Sequence, residues 1–345
     1  MMFRKILWIV GALILLSAFT MDQPRKFTIF LIGDSTMADK NLKGNNPERG
    51  WGMMLQGFFT DNVTVDNHAV NGRSTKSFIN EGRWDAVLQK IKKGDYVFIE
   101  FGHNDEKTNE TLHTDPGTTF DDNLRRFVRE TREKGGIPVL FNSIVRRNFP
   151  PNGKVFANAT EARDFLSSNG GHYKNEGDSL VDTHGEYLES PKHVAKEMQV
   201  PFIDLNQLTR RMVAKYGREG SKKIWQHIPA GVYDACPKGR TDNTHLCIYG
   251  ARIVAGIAID AVAEQIPEIA GYVRHYNYVV SAEGRGDFFT IDEAVKEIQN
   301  PGKKKLSVLV LPGKYDVSKG VLKEAKNKNI SFVKQKGTEI INNGY

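Results

Sequence analysis

The sequence has 345 residues, enough to bury a sizeable core and too many for one small domain. Its formal charge of +7 divides into +2 for residues 1–20, +4 for residues 281–345 and +1 for the long middle of the chain. A nearly neutral body argues against a nucleic-acid-binding protein, because such proteins need a concentrated basic face.

Residues 1–20 have the order of features that is typical of a secretory signal. Arg4 and Lys5 precede an apolar run over residues 6–16, and small residues follow at Ser17 and Ala18. This run is shorter than the roughly 20 residues that a membrane span needs. We therefore predict export, cleavage near residue 20, no stable membrane span afterwards, and a periplasmic or extracellular location. A retained N-terminal anchor is the alternative.

Strand-like and helix-like runs then alternate, which predicts an α/β fold with a mostly parallel sheet and helices on both faces. Residues 145–190 interrupt the alternation as a long polar insertion, where a substrate-shaping loop is expected. In such sheets functional residues gather at the carboxyl ends of the strands. The strand candidates are residues 27–33, 63–70, 96–102, 137–144 and 200–205. The helix candidates are residues 52–59, 83–94, 120–136 and 248–266.

The first strand candidate ends in the residues GDST, with Ser35 placed where a hydroxyl can face a cleft. A serine at such a point is a candidate nucleophile, although a structural turn has the same composition. A serine nucleophile also needs a base, a group that orients the base, and donors for the oxyanion. The assignment of Ser35 therefore depends on whether the rest of the chain supplies these groups.

Three later stretches supply them. Gly72 follows the second strand candidate and leaves a backbone N–H unobstructed, while Asn104 follows the third and offers a side-chain amide. Asp242 precedes His245 by three residues, just ahead of the last helix candidate, so both side chains can face one cleft. Singly, Gly72 also fits a turn, Asn104 a helix cap and Asp242 an N-cap. Together, in this order and at these strand ends, they favour catalysis.

At this point the chain resembles the SGNH, or GDSL, hydrolases, and within them the rhamnogalacturonan acetylesterases. The resemblance rests on the blocks GDST (33–36), GRS (72–74), GHND (102–105) and DNTH (242–245) and covers residues 26–270. It implies a flavodoxin-like three-layer α/β/α fold. It also implies Ser35 as nucleophile, His245 as general base and acid, and Asp242 as its orienting partner. The implied oxyanion donors are the backbone N–H groups of Ser35 and Gly72 and the side chain of Asn104.

The reaction implied is that of a serine carboxylic ester hydrolase, which removes acetyl groups from an acetylated pectic polysaccharide or oligosaccharide. No metal or cofactor is expected, since the sequence contains neither HExxH nor CxxC. Arg73 and His103 adjoin the blocks and are candidate substrate contacts, with a structural role in their turns as the alternative. Trp51 is predicted to belong to the core. The remaining histidines are predicted to be surface or supporting residues: His68, His113, His172, His184, His193, His227 and His275.

The two cysteines leave two alternatives open. An exported protein meets oxidising conditions, so a disulfide between Cys236 and Cys247 is one prediction. Two small apolar residues that never meet are the other.

The C-terminal part differs in character, and we place a linker at residues 271–280 and a second segment at residues 281–345. That segment resembles the opening of a pectin methylesterase, a right-handed parallel β-helix enzyme, cut short before its catalytic carboxylates. One or two rungs of a solenoid cannot bury their apolar face alone, so we expect this segment to depend on docking to the esterase. The resemblance is carried by Gly284, Gly286, Asp287, Phe288, Phe289, Pro312, Gly313 and Tyr315.

The leading functional interpretation is therefore an exported acetylesterase acting on the rhamnogalacturonan region of pectin. A second interpretation keeps the same chemistry but changes the substrate to acetylated xylan, another glycan or a lipid. A third is a non-catalytic glycan-binding module derived from an esterase. The presence of Ser35, Asp242 and His245 counts against this third interpretation.

Overall fold

The computed structural model describes residues 25–151, 153–168, 177 and 179–342. The predicted signal segment, residues 1–20, and His172 lie outside this range. Within it, no helix is both long enough and apolar enough to cross a bilayer.

Five parallel strands form the central sheet, as the sequence predicted. They are β1 (Phe27–Gly33), β2 (Val63–Asn67), β3 (Tyr96–Glu100), β4 (Ile137–Phe141) and β5 (Phe202–Ile203). Their spatial order is β2-β1-β3-β4-β5, so the succession of strands reverses between β1 and β3. In flavodoxin-like sheets, ligands bind beside the carboxyl ends of the strands at this reversal.

Both faces of the sheet are covered, which explains why its strands read as nearly continuous apolar runs. In β1, Ile29 and Leu31 pack into one apolar cluster, whereas Phe30 and Ile32 pack into the other. Trp51 is fully buried in the first cluster, as predicted. The helices of this part of the chain are α1 (Thr75–Asn80), α2 (Arg83–Leu88), α3 (Thr119–Glu133), α4 (Ala159–Ser168), α5 (Ser190–Met198), α6 (Leu205–Gly220), α7 (Ile248–Gln265) and α8 (Pro267–Ala270).

Three elements differ from what their sequence patterns predicted. The predicted helix over residues 83–94 stops at Leu88, and the chain turns before β3 through Gly94, whose φ is +87°. The predicted strand over residues 200–205 keeps two residues, because Asp204 accepts a hydrogen bond from the backbone N–H of Gln207 and caps α6. The predicted helix over residues 52–59 is a 3₁₀-helix, Gly52–Phe58.

The insertion after β4 is tied to the loop that follows β3. Glu106 is buried and forms an ion pair with Arg146, in which nitrogen and oxygen are 2.6 Å apart. Arg163 of α4 lies 3.5 Å from the same carboxylate. Arg163 also donates to the carbonyl of Thr183 at 3.3 Å. The insertion is thus held against the GHND block that precedes Glu106.

A two-stranded antiparallel ribbon precedes α7 and was not foreseen from the sequence. It pairs β6 (Trp225–Ile228) with β7 (Arg240–Leu246), and its register shifts between Trp225 and Gln226. Asp242 and His245 both lie on β7. The ribbon therefore brings these two residues across the carboxyl edge of the central sheet.

The C-terminal segment forms two small parallel sheets around an apolar core of its own. One sheet has the order β11-β9-β8 and the other pairs β10 with β12, where the strands are β8 (Tyr278–Val280), β9 (Leu306–Val310), β10 (Gly313–Val317), β11 (Ile330–Lys334) and β12 (Thr338–Asn342). Helices α9 (Ile291–Glu297) and α10 (Val321–Asn327) lie between them in sequence. Strand β8 falls inside the predicted linker of residues 271–280.

Arg49 joins this segment to the part of the chain that contains the central sheet. Its side chain is buried, donates through Nε to the carbonyl of Gly284 at 2.9 Å, and lies 5.6 Å from the ring centre of Phe289. Burial lowers the pKa of Arg49 to about 10, so the guanidinium stays charged at neutral pH. A buried cation of this kind holds its carbonyl partners in place, and a side chain without donors would leave them unpaired.

We expect Arg49→Met to lower the free energy of unfolding by about 3 kcal/mol, because it leaves buried carbonyls unpaired. Urea denaturation of the full chain measures this. Arg129→Met is the matched control, since its side chain is 56% exposed, and we expect a change within about 0.5 kcal/mol. Equal effects of the two substitutions would contradict a structural role for Arg49.

Candidate active site

Ser35 lies in a tight turn at the carboxyl end of β1. The carbonyl of Asp34 accepts hydrogen bonds from the backbone N–H groups of Met37 and Ala38, at 3.3 and 3.0 Å. Glycine is required just before this turn, because a Cβ at Gly33 would lie 2.6 Å from the carbonyl oxygen of Glu100 on β3. The close approach of the two strands thus fixes the position of Ser35 beside β3.

The side chains of Ser35, His245 and Asp242 form a continuous hydrogen-bonded row. His245 Nε2 lies 2.9 Å from Ser35 Oγ, and His245 Nδ1 lies 2.7 Å from Asp242 Oδ2. The other carboxylate oxygen of Asp242 accepts the backbone N–H groups of Thr244 and His245, at 2.7 and 3.0 Å. These contacts fix both the carboxylate and the imidazole, with Nε2 directed at the hydroxyl.

Asp242 is ionised at neutral pH. Its burial alone would raise its pKa, but the hydrogen bond and the charge of His245 outweigh burial and lower the pKa to about 2. An ionised carboxylate at Nδ1 keeps the proton on that nitrogen and leaves Nε2 free to accept a proton from Ser35.

Gly72 lies in the loop that Lys40 links to the turn of Ser35, and Asn104 is hydrogen-bonded to the same loop. Gly72 has a φ of +75°, and apart from Gly72 itself and its two chain neighbours no described residue has an atom within 4 Å of the position of a Cβ there. Asn104 Nδ2 donates to the carbonyl of Arg73 at 3.1 Å, and Lys107 Nζ donates to Asn104 Oδ1 at 2.7 Å. The lysine contact fixes which end of the amide is the donor, and the second N–H of Nδ2 can bind a developing oxyanion.

A buried pair of carboxyl groups lies beneath the nucleophile. Thr36 Oγ1 is 2.9 Å from an oxygen of Asp34 and 2.9 Å from an oxygen of Glu100. A hydroxyl has one hydrogen to donate, so one of the two carboxyl groups must itself donate and hold a proton. Burial, and then the charge of Asp34, raise the pKa of Glu100 well above its usual value.

Asp34, Glu100 and His103 also form the one group of described side chains whose spacing fits a metal ion, with ligand atoms within 4.8 Å of one another. Metal ligation requires deprotonated carboxylates. Here the Thr36 hydroxyl and the raised pKa values of both carboxyl groups favour a retained proton. We therefore interpret Asp34 and Glu100 as two carboxyl groups that share a proton, rather than as ligands of a metal ion.

We expect the free energy of unfolding to fall as pH rises because of Glu100. A carboxyl group with a raised folded-state pKa makes its full contribution to the free energy of unfolding below about pH 4.5, where the folded and unfolded chains are both protonated. This contribution is lost as pH rises through the folded-state pKa. The slope of that loss approaches about 1.4 kcal/mol per pH unit. Glu100→Gln keeps the shape and hydrogen-bonding pattern of the protonated acid, so we expect a flatter dependence.

Urea denaturation between about pH 5 and 9 checks this expectation. Catalytic turnover of Glu100→Gln is expected to stay close to that of the unsubstituted chain, since the amide reproduces the neutral acid. Identical pH slopes for the two proteins would show that Glu100 does not retain its proton on folding.

The two predicted substrate contacts have other partners. Arg73 pairs with Glu81 at 3.0 Å, and its side chain is 32% exposed, so it stands beside the site with its charge already matched. His103 is 3% exposed, and its Nδ1 lies 3.0 Å from Nε2 of His184. Burial, and then the charge of Arg146, lower the pKa of His103 well below its usual value. His103 is thus almost fully buried beside His184, and contact of Arg73 or His103 with substrate stays a prediction.

Lys40 is a residue that sequence reasoning missed. Its Nζ donates to the backbone carbonyl of Ser35 at 2.6 Å and to Asn71 Oδ1 at 2.7 Å, and it pairs with Glu48 at 2.8 Å. Its side chain is almost fully buried. Lys40 thus connects the nucleophile turn with the loop that carries Gly72. The only sequence signal was a lysine five residues after the serine.

The predicted disulfide is absent, because Cys236 and Cys247 are both free. Cys247 is the N-cap residue of α7, its backbone N–H donates to Ile224, and its thiol donates to the carbonyl of Lys223 at 2.9 Å. Cys236 lies in a separate turn, in which its backbone N–H donates to the carbonyl of Tyr233 at 3.0 Å. The two thiols therefore lie in different environments. Of the two alternatives that the sequence left open, the structure shows two small residues that do not meet.

Comparison with known proteins agrees with this geometry. Residues 31–223, more than half of the chain, match the GDSL-like lipase/acylhydrolase family. The chain belongs to this family. It is accordingly a carboxylic ester hydrolase, and its parallel sheet with flanking helices is the fold of that family.

Two curated relatives from Bacillus subtilis (strain 168) are similar over most of their length. Rhamnogalacturonan acetylesterase RhgT is 36% identical over 257 residues, which are 74% of this chain and 96% of the relative. Probable rhamnogalacturonan acetylesterase YesY is 30% identical over 237 residues, which are 68% of this chain and 92% of the relative. Among solved structures, protein YxiM of Bacillus subtilis is 25% identical with a TM-score of 0.52, and the match covers 71% of this GDSL-family chain and 58% of YxiM.

Proposed function

We propose that this GDSL-family hydrolase is an exported carbohydrate acetylesterase that removes acetyl groups from the rhamnogalacturonan region of pectin. The observation that carries the chemistry is the row from Asp242 through His245 to Ser35, with distances of 2.7 and 2.9 Å. The substrate class is supported by the 36% identity to rhamnogalacturonan acetylesterase RhgT. Export rests on the signal-like order of residues 1–20.

The first half of the reaction forms an acyl-enzyme. Ser35 Oγ attacks the carbonyl carbon of the acetyl group, and His245 Nε2 takes the hydroxyl proton. The carbonyl oxygen becomes an oxyanion, which the N–H groups of Ser35 and Gly72 and the amide of Asn104 stabilise. The bond to the sugar oxygen then breaks, and His245 returns its proton to that oxygen, so the sugar leaves as an alcohol.

The second half releases acetate. His245 takes a proton from water, and the resulting hydroxide attacks the acetyl carbon of the acyl-enzyme. The bond to Ser35 Oγ breaks, and His245 returns the proton to the serine. Asp242 stays ionised during both halves and stabilises the imidazolium that forms twice per turnover.

Acetate release by the full chain from three substrates tests the proposal. We expect the highest kcat/KM on acetylated rhamnogalacturonan, a lower one on acetylated xylan, and measurable hydrolysis of an aryl acetate. Ser35→Ala should abolish all three activities. Hydrolysis of the aryl acetate alone would retain the esterase and reject the pectic substrate.

The alternatives make different predictions in the same assay. A lipid-directed esterase would prefer long-chain aryl esters over the acetate. A glycan-binding module would release no acetate while still binding the polysaccharide, and a fluorophosphonate would fail to label Ser35.

A further inference from the structure

A cleft of about 330 Å³ lies between the edge of the central sheet and the C-terminal segment. Strand β2, the edge strand, supplies one wall, and residues from three loops of the C-terminal segment supply the other. The cleft falls within the size range of small-ligand sites. Its polar lining includes Asp61, Thr64, Glu283, Arg285, Gln335 and Lys336.

Part of the C-terminal wall, at residues 311–312 and 335–336, belongs to the most basic part of the chain. Residues 301–345 contain ten lysines and three acidic residues, which gives +7, the same as the formal charge of the whole chain. Residues 1–300 therefore have a formal net charge of zero. Such an asymmetry attracts polyanions to one end of the molecule.

The two acidic residues of the cleft are already engaged. Asp61 Oδ1 accepts the backbone N–H of Lys336 at 3.1 Å, and Glu283 lies 3.4 Å from the guanidinium of Arg285. The Lys336 side chain is different: within the described part of the chain, no carboxylate lies within ion-pair distance of its ammonium group. Lys336 is exposed and can bind an anion that enters the cleft.

The cleft is connected to the nucleophile turn. Arg285 Nη2 lies 3.3 Å from Asp39 Oδ2, and Asn67, at the carboxyl end of β2, donates to the other oxygen of Asp39 at 2.7 Å. The next residue, Lys40, contacts the carbonyl of Ser35. A chain lying along β2 from the cleft therefore reaches the side of the molecule on which Ser35 stands.

We propose that this cleft is a second glycan-binding site, which takes a uronate-containing stretch of the same polysaccharide whose acetyl group is hydrolysed at Ser35. This inference rests on the proposed function, because rhamnogalacturonan carries a uronate carboxylate in each repeating disaccharide. The carboxylates bind Lys336 and take the place of the exposed Glu283 on the guanidinium of Arg285, while the amide and hydroxyl groups of the cleft bind sugar hydroxyls. The C-terminal segment thereby adds affinity for the acidic polymer.

Calorimetric titration of the full-length Ser35→Ala variant with oligogalacturonate tests the site without catalysis. We expect Lys336→Ala to weaken binding about two- to fivefold, the effect of one partly exposed charge contact. Lys314→Ala is the matched control, since it removes a lysine of the same segment that is 77% exposed and paired with Glu339. We expect this control to leave binding unchanged. Neutral xylan oligosaccharides should bind more weakly than oligogalacturonate.

The Arg285→Ala variant needs a control of its own, because loss of the guanidinium also breaks the ion pair with Asp39. We expect Arg285→Ala to weaken binding, whereas Asp39→Asn, which removes the ion pair but keeps the cation, should not. Raising NaCl from about 0.05 to 0.5 M should weaken binding of oligogalacturonate.

Equal losses from Lys336→Ala and Lys314→Ala would overturn the proposal, because binding would then follow overall charge rather than the cleft. Equal affinity for a nucleic acid of the same charge would overturn the assignment to a uronate. Hydrolysis of an aryl acetate by the unsubstituted chain, measured in parallel, reports on the catalytic site alone. A failure of the proposed function is therefore distinguishable from a failure of this second site.

Discussion

Replacing His245 by alanine is expected to lower kcat for an aryl acetate on the order of 10⁶-fold, the loss that follows removal of the base of a serine triad. The reason is geometric. His245 Nε2 is 2.9 Å from Ser35 Oγ, and the row that ends at Asp242 places it to accept the hydroxyl proton. Without it, the hydroxyl keeps its proton and remains a poor nucleophile. Steady-state hydrolysis of the aryl acetate gives the ratio.

A double variant sharpens this prediction. If Ser35 and His245 act as one unit, then Ser35→Ala combined with His245→Ala should be no slower than either single variant. Losses that multiply would indicate two independent contributions. His275→Ala is the matched control, because His275 lies 3.0 Å from Asp260 in an exposed histidine–aspartate pair. We expect it to leave kcat unchanged.

Asn104→Ala is expected to lower kcat about 10²- to 10³-fold with little change in KM, the effect of removing one oxyanion donor. The amide of Asn104 is oriented by Lys107 on its oxygen and by the carbonyl of Arg73 on one N–H. In the proposed mechanism the donor is therefore in place before the substrate arrives and interacts more strongly with the oxyanion than with the ester. Kinetics on an aryl acetate separate kcat from KM.

Asn123→Ala is the matched control for this prediction. Asn123 Nδ2 donates to Thr75 Oγ1 at 3.0 Å, so its loss removes a similar hydrogen bond from α3 and does not touch the nucleophile turn. We expect an effect on stability of about 1 kcal/mol and none on kcat. A rise in KM with constant kcat for Asn104→Ala would place Asn104 in substrate binding and contradict its role as an oxyanion donor.

The residues brought together at the carboxyl edge were predictable because they follow strands. Parallel strands place their carboxyl ends along one edge, so the sequence alone was enough to assign Ser35, Gly72 and Asn104 to one place. Asp242 and His245 were assigned by their spacing and their block. The ribbon that carries them was not foreseen, since β7 is a polar run, RTDNTHL, without the alternation of a half-buried strand.

The supporting residues were not predictable for a different reason. The contact between Thr36 and Glu100 joins positions 64 residues apart, and that between Lys40 and Asn71 joins positions 31 apart. No local sequence pattern indicates either contact. His184 was predicted to be a surface or supporting histidine, and its burial against His103 depends on how the insertion folds back onto the sheet. The disulfide prediction rested on the redox compartment alone, without knowledge of which atoms meet.

The contact between Arg49 and Gly284 has a consequence for the order in which the chain folds. It joins positions 235 residues apart, so closing that loop is entropically costly and is expected to follow formation of the apolar clusters on either side of the sheet. A chain that emerges amino end first completes the sheet and α7 before residue 284 exists to accept the guanidinium. Until then Arg49 remains hydrated. Gly284, which is synthesised late, thus provides the partner for Arg49, which lies only fourteen positions after Ser35.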